Sequence, residues 1–354
     1  MAISIKINKT TQSRINQCDF ENIEFGKIFS DHMFRVDFTD GKWGDPEILP
    51  YGPITMAPSI SAIHYGQAIF EGMKAFKSAE GKPLLFRPMD NIKRLNESAV
   101  RMGMPEIPEE LFMEGLKQLV SLDRDWIPTK EGSALYIRPF MFATDDFVGV
   151  RPSNNYSFII FGCPVNSYYP KPINVLVEEN FVRASDGMAG FAKAAGNYGI
   201  SMLPTMEAKK KGYDQIIWTD GRSHQHVEES GTTNLFFVVN DTTVWTPALD
   251  GNILRGITRD SCIQLLKKRG LTVEERKVSV TEIIEAAKAG TLSDCFGTGT
   301  AAIIAKIAGI GYQGQDFMLP DPEKRDVSNW LYATIYGIQT GKLTDDFGWV
   351  VAVD

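Results

Sequence analysis

The chain of 354 residues is poor in the residues that would tie it to a metal, a disulfide framework or a membrane. It has four histidines and four cysteines. Cys18, Cys163, Cys262 and Cys295 lie far apart, with no CxxC pair and no histidine at zinc-finger spacing, so neither a zinc module nor a stapled miniprotein fits. They read as reduced thiols of a cytoplasmic protein. No apolar run reaches the roughly 18 residues of a membrane helix. Met1–Gln17 lacks the apolar core of a secretory signal, although Lys6, Lys9 and Arg14 precede the first acid, Asp19, and keep an organellar leader open as the alternative. Charge of one sign is also scarce: 37 basic against 44 acidic side chains leave a net −7. That balance gives no basic footprint for nucleic acid or an anionic membrane. There is no repeat and no low-complexity segment. What is present is an ordinary globular composition, 43% hydrophobic and 23% charged. At roughly 150 residues per domain, the length suggests about two domains.

Periodicity supports that division. Apolar runs at Phe70–Phe76 and Pro83–Phe86 flank a turn and predict a hairpin, and helical patterns follow at Met89–Met102 and Glu109–Leu122. Ser133–Thr144 and Tyr156–Val165 predict paired central strands. The first half is therefore a small α+β domain, residues 1–168. Around Asn166–Pro172 two prolines within three residues predict an interdomain linker, assigned to 169–176. Residues 177–354 then form a larger mixed α/β domain. Its pattern predicts strands at Ile173–Glu178, Asp214–Thr219, Asn234–Val239, Thr243–Pro247, Asp294–Gly297 and Ile303–Tyr312. It predicts helices at about Gly199–Lys211, Ile257–Arg269, from the capping-box spacing at Ser279 to about Ala289, and at Pro322–Thr340.

Four segments carry candidate chemistry. In Gly187–Tyr198, Lys193 sits among glycines and alanines that cannot cover it. A nucleophilic lysine must be partly desolvated, and small neighbours leave room for a planar group. From this segment alone, a solvated lysine on an Ala-rich helix is the simpler reading. In His226–Asn234, Glu228, Glu229 and Thr232 precede an apolar strand, where either carboxylate could hold a proton on a ring nitrogen or be a surface charge. His224 and His226 would share one face of a strand, but with no third ligand a solvated turn fits better and no metal is assigned. Arg255-Gly256-Ile257-Thr258 opens a helix, and Phe296–Ala302 is a Gly/Thr loop; each suits an anion. The loop also matches G-x-G-x-x-A, but a dinucleotide fingerprint needs a helix next, and Ile303–Tyr312 is β-like. A lysine, an acid and two anion cups together fit a pyridoxal phosphate enzyme.

The chain also resembles the branched-chain amino acid aminotransferases, fold-type IV pyridoxal phosphate enzymes with a D-amino acid aminotransferase-like fold. The likeness runs from about Phe25 onward through Phe29–Met33, His64-Tyr65, Phe70–Phe76, Leu85–Pro88, Leu135–Pro139, Gly196–Gly199, Glu229–Asn234 and Gly297–Ala301, in that order. The resemblance implies pyridoxal 5'-phosphate as cofactor, with Lys193 binding its aldehyde covalently and serving as catalytic base. It implies Tyr198 on the ring oxygen and Glu229 on the ring nitrogen. Arg94, the amides of Ile257 and Thr258, and Thr298 or Thr300 would hold the phosphate; by pattern alone Arg87 and Arg101 look as suitable as Arg94. The substrate carboxylate would meet Thr300 and Ala301, aided by Tyr65. Phe29, Phe70, Tyr136, Tyr168 and Thr232 would line the side-chain pocket, and Arg138 would take the second carboxylate of glutamate. Val150 would be supplied to a neighbouring subunit, implying a homodimer with the active site in the cleft between domains. Some animal relatives carry a redox CxxC where this chain has Ala302 and Ala305, so thiol regulation is not expected there. Thr233 replaces a more apolar residue of some relatives. The implied activity is reversible amino transfer between leucine, isoleucine or valine and 2-oxoglutarate. The rival readings are another fold-type IV enzyme, such as a D-amino acid transaminase or aminodeoxychorismate lyase, and a non-catalytic binding protein.

Overall fold

A computed structural model describes residues 3–354. The chain divides into two units. One takes the chain as far as Tyr168 and then Ala192–Gly196 and Gly337–Asp354; the other holds Tyr169–Phe191 and Asn197–Tyr336. The limits predicted from composition, a linker at 169–176 and a second domain over 177–354, both shift. Strand Ile173–Val177 is already central to the second sheet, parallel to Gln215–Thr219 and to Ile303–Tyr312. At the other end, Val350–Ala352 pairs antiparallel with Pro83–Phe86, and Val353 is buried in the first unit's core. Pairings between segments so far apart leave no local compositional trace.

The sheet of the first unit runs in the order Lys6–Ile7, Glu47–Pro50, His32–Thr39, Tyr156–Val165, Ala134–Ala143, Met73–Lys77, Pro83–Phe86 and Val350–Ala352. Successive side chains of a strand point to opposite faces. On one face Phe34, Val36, Leu135, Ile137, Phe158 and Ile160 are buried together with Ile92, Leu95, Phe112 and Leu116 of helices Pro88–Arg101 and Glu109–Leu122. At ~1.5–3 kcal/mol for each large apolar side chain, this layer secures the helices. Gly115 is required there, because a Cβ would lie 2.6 Å from the Phe34 ring. The register then commits the other face. Tyr136 stands opposite Cys163, and Arg138 opposite Phe161. Around Tyr136 and Arg138 that face is aromatic and cationic, while Met33, Ile60, Phe142 and Ile159 form a smaller apolar cluster on it.

The second unit is a mixed sheet ordered Val227–Ser230, Gln215–Thr219, Ile173–Val177, Ile303–Tyr312, Leu292–Gly299, Thr233–Val239, Thr243–Pro247 and Thr272–Arg276. Helix Val280–Lys288 opens with the capping box its spacing predicts: Ser279 Oγ accepts from the Glu282 amide at 3.1 Å, and the Ser279 amide donates to Glu282 Oε2 at 2.9 Å. Its Ile283 and Ile284 pack with Leu235, Phe237 and Ile307 of the sheet. The helix expected over Gly199–Lys211 is two pieces, Gly196–Gly199 and Met202–Lys210. The closing helix begins at Asp326, after a separate turn at Pro322–Lys324. No helix among the described residues is long and apolar enough to cross a membrane.

Candidate active site

Residues 192–195 are not helical, contrary to the simpler reading of their composition. They lie extended beside Ala68–Phe70: Ile69 bridges Ala194, the Phe70 amide donates to the Lys193 carbonyl at 3.1 Å, and the Ala195 amide to the Ala68 carbonyl at 3.0 Å. The Lys193 amide donates to Ser98 Oγ at 2.9 Å, which ties this segment to helix Pro88–Arg101. The half-buried Lys193 carries its ammonium 4.9 Å from the Phe70 ring centroid.

The same helix distinguishes the three arginine candidates. Arg87 pairs with Asp90 at 2.6 Å and Arg101 is exposed, whereas Arg94 is buried. Arg94 grips Glu71 in a bidentate pair, Nε to Oε1 at 2.7 Å and Nη2 to Oε2 at 2.8 Å. Asn91 Nδ2 donates to the same carboxylate at 2.8 Å. Arg94, with the Asn91 bond and the Lys193 charge, holds the fully buried Glu71 carboxyl below the usual range against the cost of desolvation. Sequence reasoning quoted Glu71 and gave it no role; its partner is a helix residue that no spacing rule connects to it.

The second face of the first sheet gathers most of the expected pocket. The Arg138 guanidinium lies 4.6 Å from the Phe70 ring centroid, and its Nη2 donates to Tyr136 Oη at 3.0 Å. Arg138 Nε is buried without a partner, and among the described residues Arg138 has no carboxylate partner. Phe25 stands edge-on to both Tyr136 and Tyr168, at 5.2 and 5.1 Å. Phe29 stacks on Tyr51 at 4.7 Å and meets Phe161 edge-on. Lys74, which sequence reasoning passed over, is also buried, and desolvation pushes its ammonium down to about 8. Tyr65 and Val150 are exposed, at 44% and 90%.

In the second unit Glu228 and Glu229 are both buried rather than surface charges. Glu229 Oε1 accepts from Asn234 Nδ2 at 3.1 Å and from the Leu254 amide at 2.9 Å, while Oε2 lies 2.9 Å from Arg183 Nε. The Arg183 guanidinium also donates to the carbonyls of Gly190 and Asn252. Arg183 is far from Glu229 in sequence and carries no motif, so its role was not visible. Asn234 joins the two anion cups. It stands opposite Glu229 on one side and opposite Thr298 on the other. Its Oδ1 would lie 1.9 Å from any Cβ at Gly256, the residue that caps helix Ile257–Lys268. Thr298 Oγ1 is buried with no partner, and Thr258 is buried in the first turn of that helix. Thr300 and Ala301 form the turn before strand Ile303–Tyr312, where Ile303 takes a φ of 61°. Thr232 is exposed in a tight turn, and Tyr198 is half-buried in Gly196–Gly199. His224 lies in a turn with a φ of 54°, so it does not share a strand face with His226 as expected.

Residues 68–310 match the family described as Amino-transferase class IV. Branched-chain-amino-acid aminotransferase 2 of Bacillus subtilis is 46% identical over 347 residues, 97% of this chain and 95% of that one. The chain belongs to the branched-chain amino acid aminotransferases of class IV. Another member, a probable branched-chain-amino-acid aminotransferase of Staphylococcus epidermidis, is 46% identical over all of this chain and 99% of its own. Among solved members, the Escherichia coli branched-chain amino acid aminotransferase superposes with a TM-score of 0.75 at 26% identity, over 92% of this chain and 99% of that one. A second solved branched-chain amino acid aminotransferase, that of T.th., is complexed with N-(5'-phosphopyridoxyl)-L-glutamate and gives 0.73 at 26% identity, over 90% and 98%. The mixed α/β fold with two sheets is the fold of this family.

Proposed function

We propose that this class IV aminotransferase moves an amino group reversibly between L-leucine, L-isoleucine or L-valine and 2-oxoglutarate, with pyridoxal 5'-phosphate as cofactor. The observation that carries the reading is the second face of the first sheet. Its aromatic walls suit an apolar branched chain, and Arg138, with a buried unpartnered Nε, suits the second carboxylate of glutamate and 2-oxoglutarate. A solved relative complexed with 4-methylvaleric acid and one complexed with a glutamate adduct of the cofactor support both halves.

The residues present fit that cofactor. Thr298 Oγ1, buried and unpartnered, has a hydrogen bond to give, and helix Ile257–Lys268 begins with amide donors beside it through Asn234. Arg94, Ile257, Thr258 and Thr298, with Thr300, would hold the phosphate, Tyr198 the ring oxygen, Glu229 the ring nitrogen and Lys193 the aldehyde. Thr300 and Ala301, with Tyr65, would receive the substrate carboxylate, and Phe29, Phe70, Tyr136, Tyr168 and Thr232 its side chain. When bound, pyridoxal phosphate supplies an electron sink for the charge left as the α-proton departs. Lys193 Nζ takes that proton and returns it, as a base close to an apolar ring rather than to bulk water. Glu229 keeps a proton on the ring nitrogen. Arg183, Asn234 and the Leu254 amide compensate its charge and fix its orientation. Val150, 90% exposed, would serve a second copy, giving a homodimer. Buried free thiols at Cys163, Cys262 and Cys295 suit the reducing cytoplasm.

The test is an amino-donor panel with 2-oxoglutarate. Turnover is expected with L-leucine, and little with L-phenylalanine or D-alanine. Activity on D-alanine alone would overturn the substrate assignment. A protein that stays colourless with added cofactor would overturn the enzyme reading itself.

A further inference from the structure

We propose that Ser98 is a positioning residue that fixes Lys193 for its bond to the cofactor and ties it to Arg94, the arginine assigned to the phosphate. The proposal deepens the transaminase reading and rests on it. Ser98 lies inside helix Pro88–Arg101 and is 0% exposed. Alanine is the better helix former, and a buried hydroxyl costs desolvation unless its hydrogen-bonding groups are used. Here both the proton and a lone pair are used. Ser98 Oγ donates to the Arg94 carbonyl at 2.9 Å and accepts from the Lys193 amide at 2.9 Å. The first bond is the one a helical serine makes to its own helix, and it commits the proton so that the lone pair serves Lys193. The second crosses from the helix to a segment 95 residues further along the chain.

The bonds around Ser98 close into a circuit. The Lys193 carbonyl accepts from the Phe70 amide at 3.1 Å, so the amide and the carbonyl of Lys193 are both held. Phe70 is followed by Glu71, whose buried carboxylate is gripped by Arg94 through Nε and Nη2. Arg94 stands four residues before Ser98, one turn away on the same helix. Lys193, Ser98, Arg94, Glu71 and Phe70 thus join three chain segments, all within the first unit. What the circuit fixes is the spacing of two groups with separate tasks, the amine that must reach the aldehyde carbon and the guanidinium assigned to the phosphate. In the covalent step the neutral Lys193 amine condenses with the aldehyde. A C=N bond forms, the C=O bond breaks, and the oxygen leaves as water with both amine protons. A lysine whose backbone could shift by about 1 Å would have to be ordered again at the moment of bonding.

The experiment is equilibrium dialysis of the full-length protein, freed of cofactor, against pyridoxal 5'-phosphate and against pyridoxamine 5'-phosphate. The two share a ring and a phosphate, but the amine form has no aldehyde for Lys193. Loss of the acceptor of one amide is worth about fivefold or more in a binding constant. Ser98→Ala should weaken pyridoxal 5'-phosphate about fivefold or more and leave pyridoxamine 5'-phosphate within about twofold. Unchanged binding of pyridoxal 5'-phosphate in Ser98→Ala overturns the proposal and leaves the transaminase reading standing. Equal weakening of both ligands also overturns it, as a general effect on the fold. A Lys193→Ala variant that binds pyridoxal 5'-phosphate as tightly as wild type overturns the lysine assignment itself, and the proposal with it. Should Ser98→Ala not fold, Ser98→Cys, whose thiol is a weak acceptor, is read by the same outcomes.

Discussion

Replacing Glu228 by glutamine should change how stability depends on pH. Glu228 is 3% exposed on strand Val227–Ser230; its Oε1 accepts from Asn252 Nδ2 at 3.2 Å and its Oε2 has no partner. Burial pushes its carboxyl up to about 7 from 4.5, the charges of Asp250 and Glu229 push the same way, and Asn252 and Arg183 oppose them. At 1.36 kcal/mol per pH unit, that rise corresponds to about 3 kcal/mol between the two protonation states. Glu228 lines a cavity of about 290 Å³ together with Asp186, Asp220 and Lys277. Solvent entering that cavity would screen the charge and bring the expected effect to about 1–3 kcal/mol. The folded state holds this proton more tightly than the unfolded state. As pH rises from about 4.5 to about 7 the unfolded chain releases it first, so the wild type loses stability through this group and stays lower above pH 7. A glutamine has no proton to lose. Glu228→Gln should therefore gain about 1–3 kcal/mol on wild type between pH 4.5 and pH 8. In a unit of roughly 160 residues each kcal/mol moves the melting temperature by ~2–4 °C. The assay is thermal melting of both proteins at the two pH values with saturating cofactor. A melting-temperature difference that is the same at both would refute the assignment of a buried, proton-bearing Glu228.

Two further substitutions probe the cofactor cups. Thr298→Val removes a buried hydroxyl that has no protein partner, so the melting temperature without cofactor should hold or rise, while cofactor affinity falls about tenfold; equal affinity in equilibrium dialysis would remove Thr298 from the phosphate site. Gly256→Ala would put a Cβ 1.9 Å from Asn234 Oδ1 and displace the side chain that holds Glu229. A loss of about 1–3 kcal/mol in urea unfolding is expected, with weaker cofactor binding; a neutral variant would show that Asn234 is free to move.

Much of the fold is written in local pattern. The strands at 134–143 and 156–165, the two helices behind them and the capping box at Ser279 all follow from periodicity and end signals that each segment carries alone. The Lys193 segment shows where such signals fail. Its alanines and glycines favour a helix in isolation, but pairing with Ala68–Phe70 and the hydrogen bond to Ser98 draw it out as an extended strip. The site divides in the same way. The Glu228-Glu229 pair and the Gly/Thr loop stand out by residue type and setting, whereas Arg138 enters only through the family resemblance. Glu71, Arg183 and Asn234 do not stand out, because what matters about each is a partner on another element. Arg94 could not be told from Arg87 and Arg101 by type; only burial against Glu71 separates them. Face assignment, which sets Phe34 and Leu135 on one side of the first sheet and Tyr136 and Arg138 on the other, needs the inter-strand register, and register is not a local property.

The pairing of Val350–Ala352 with Pro83–Phe86 has a consequence for how the protein is made. Pro83–Phe86 leaves the ribosome long before its second neighbour exists. During that interval it is an open sheet edge with buried-type side chains, Leu84, Leu85 and Phe86, facing whatever is near. The first unit also waits for residues 192–196 and 337–354, so it cannot be finished until the chain has passed through the second unit and returned. Release from the ribosome and closure of this sheet are thus coupled late events. A chaperone that shields the Pro83–Phe86 edge during synthesis should matter more for yield than the stability of the finished enzyme would suggest.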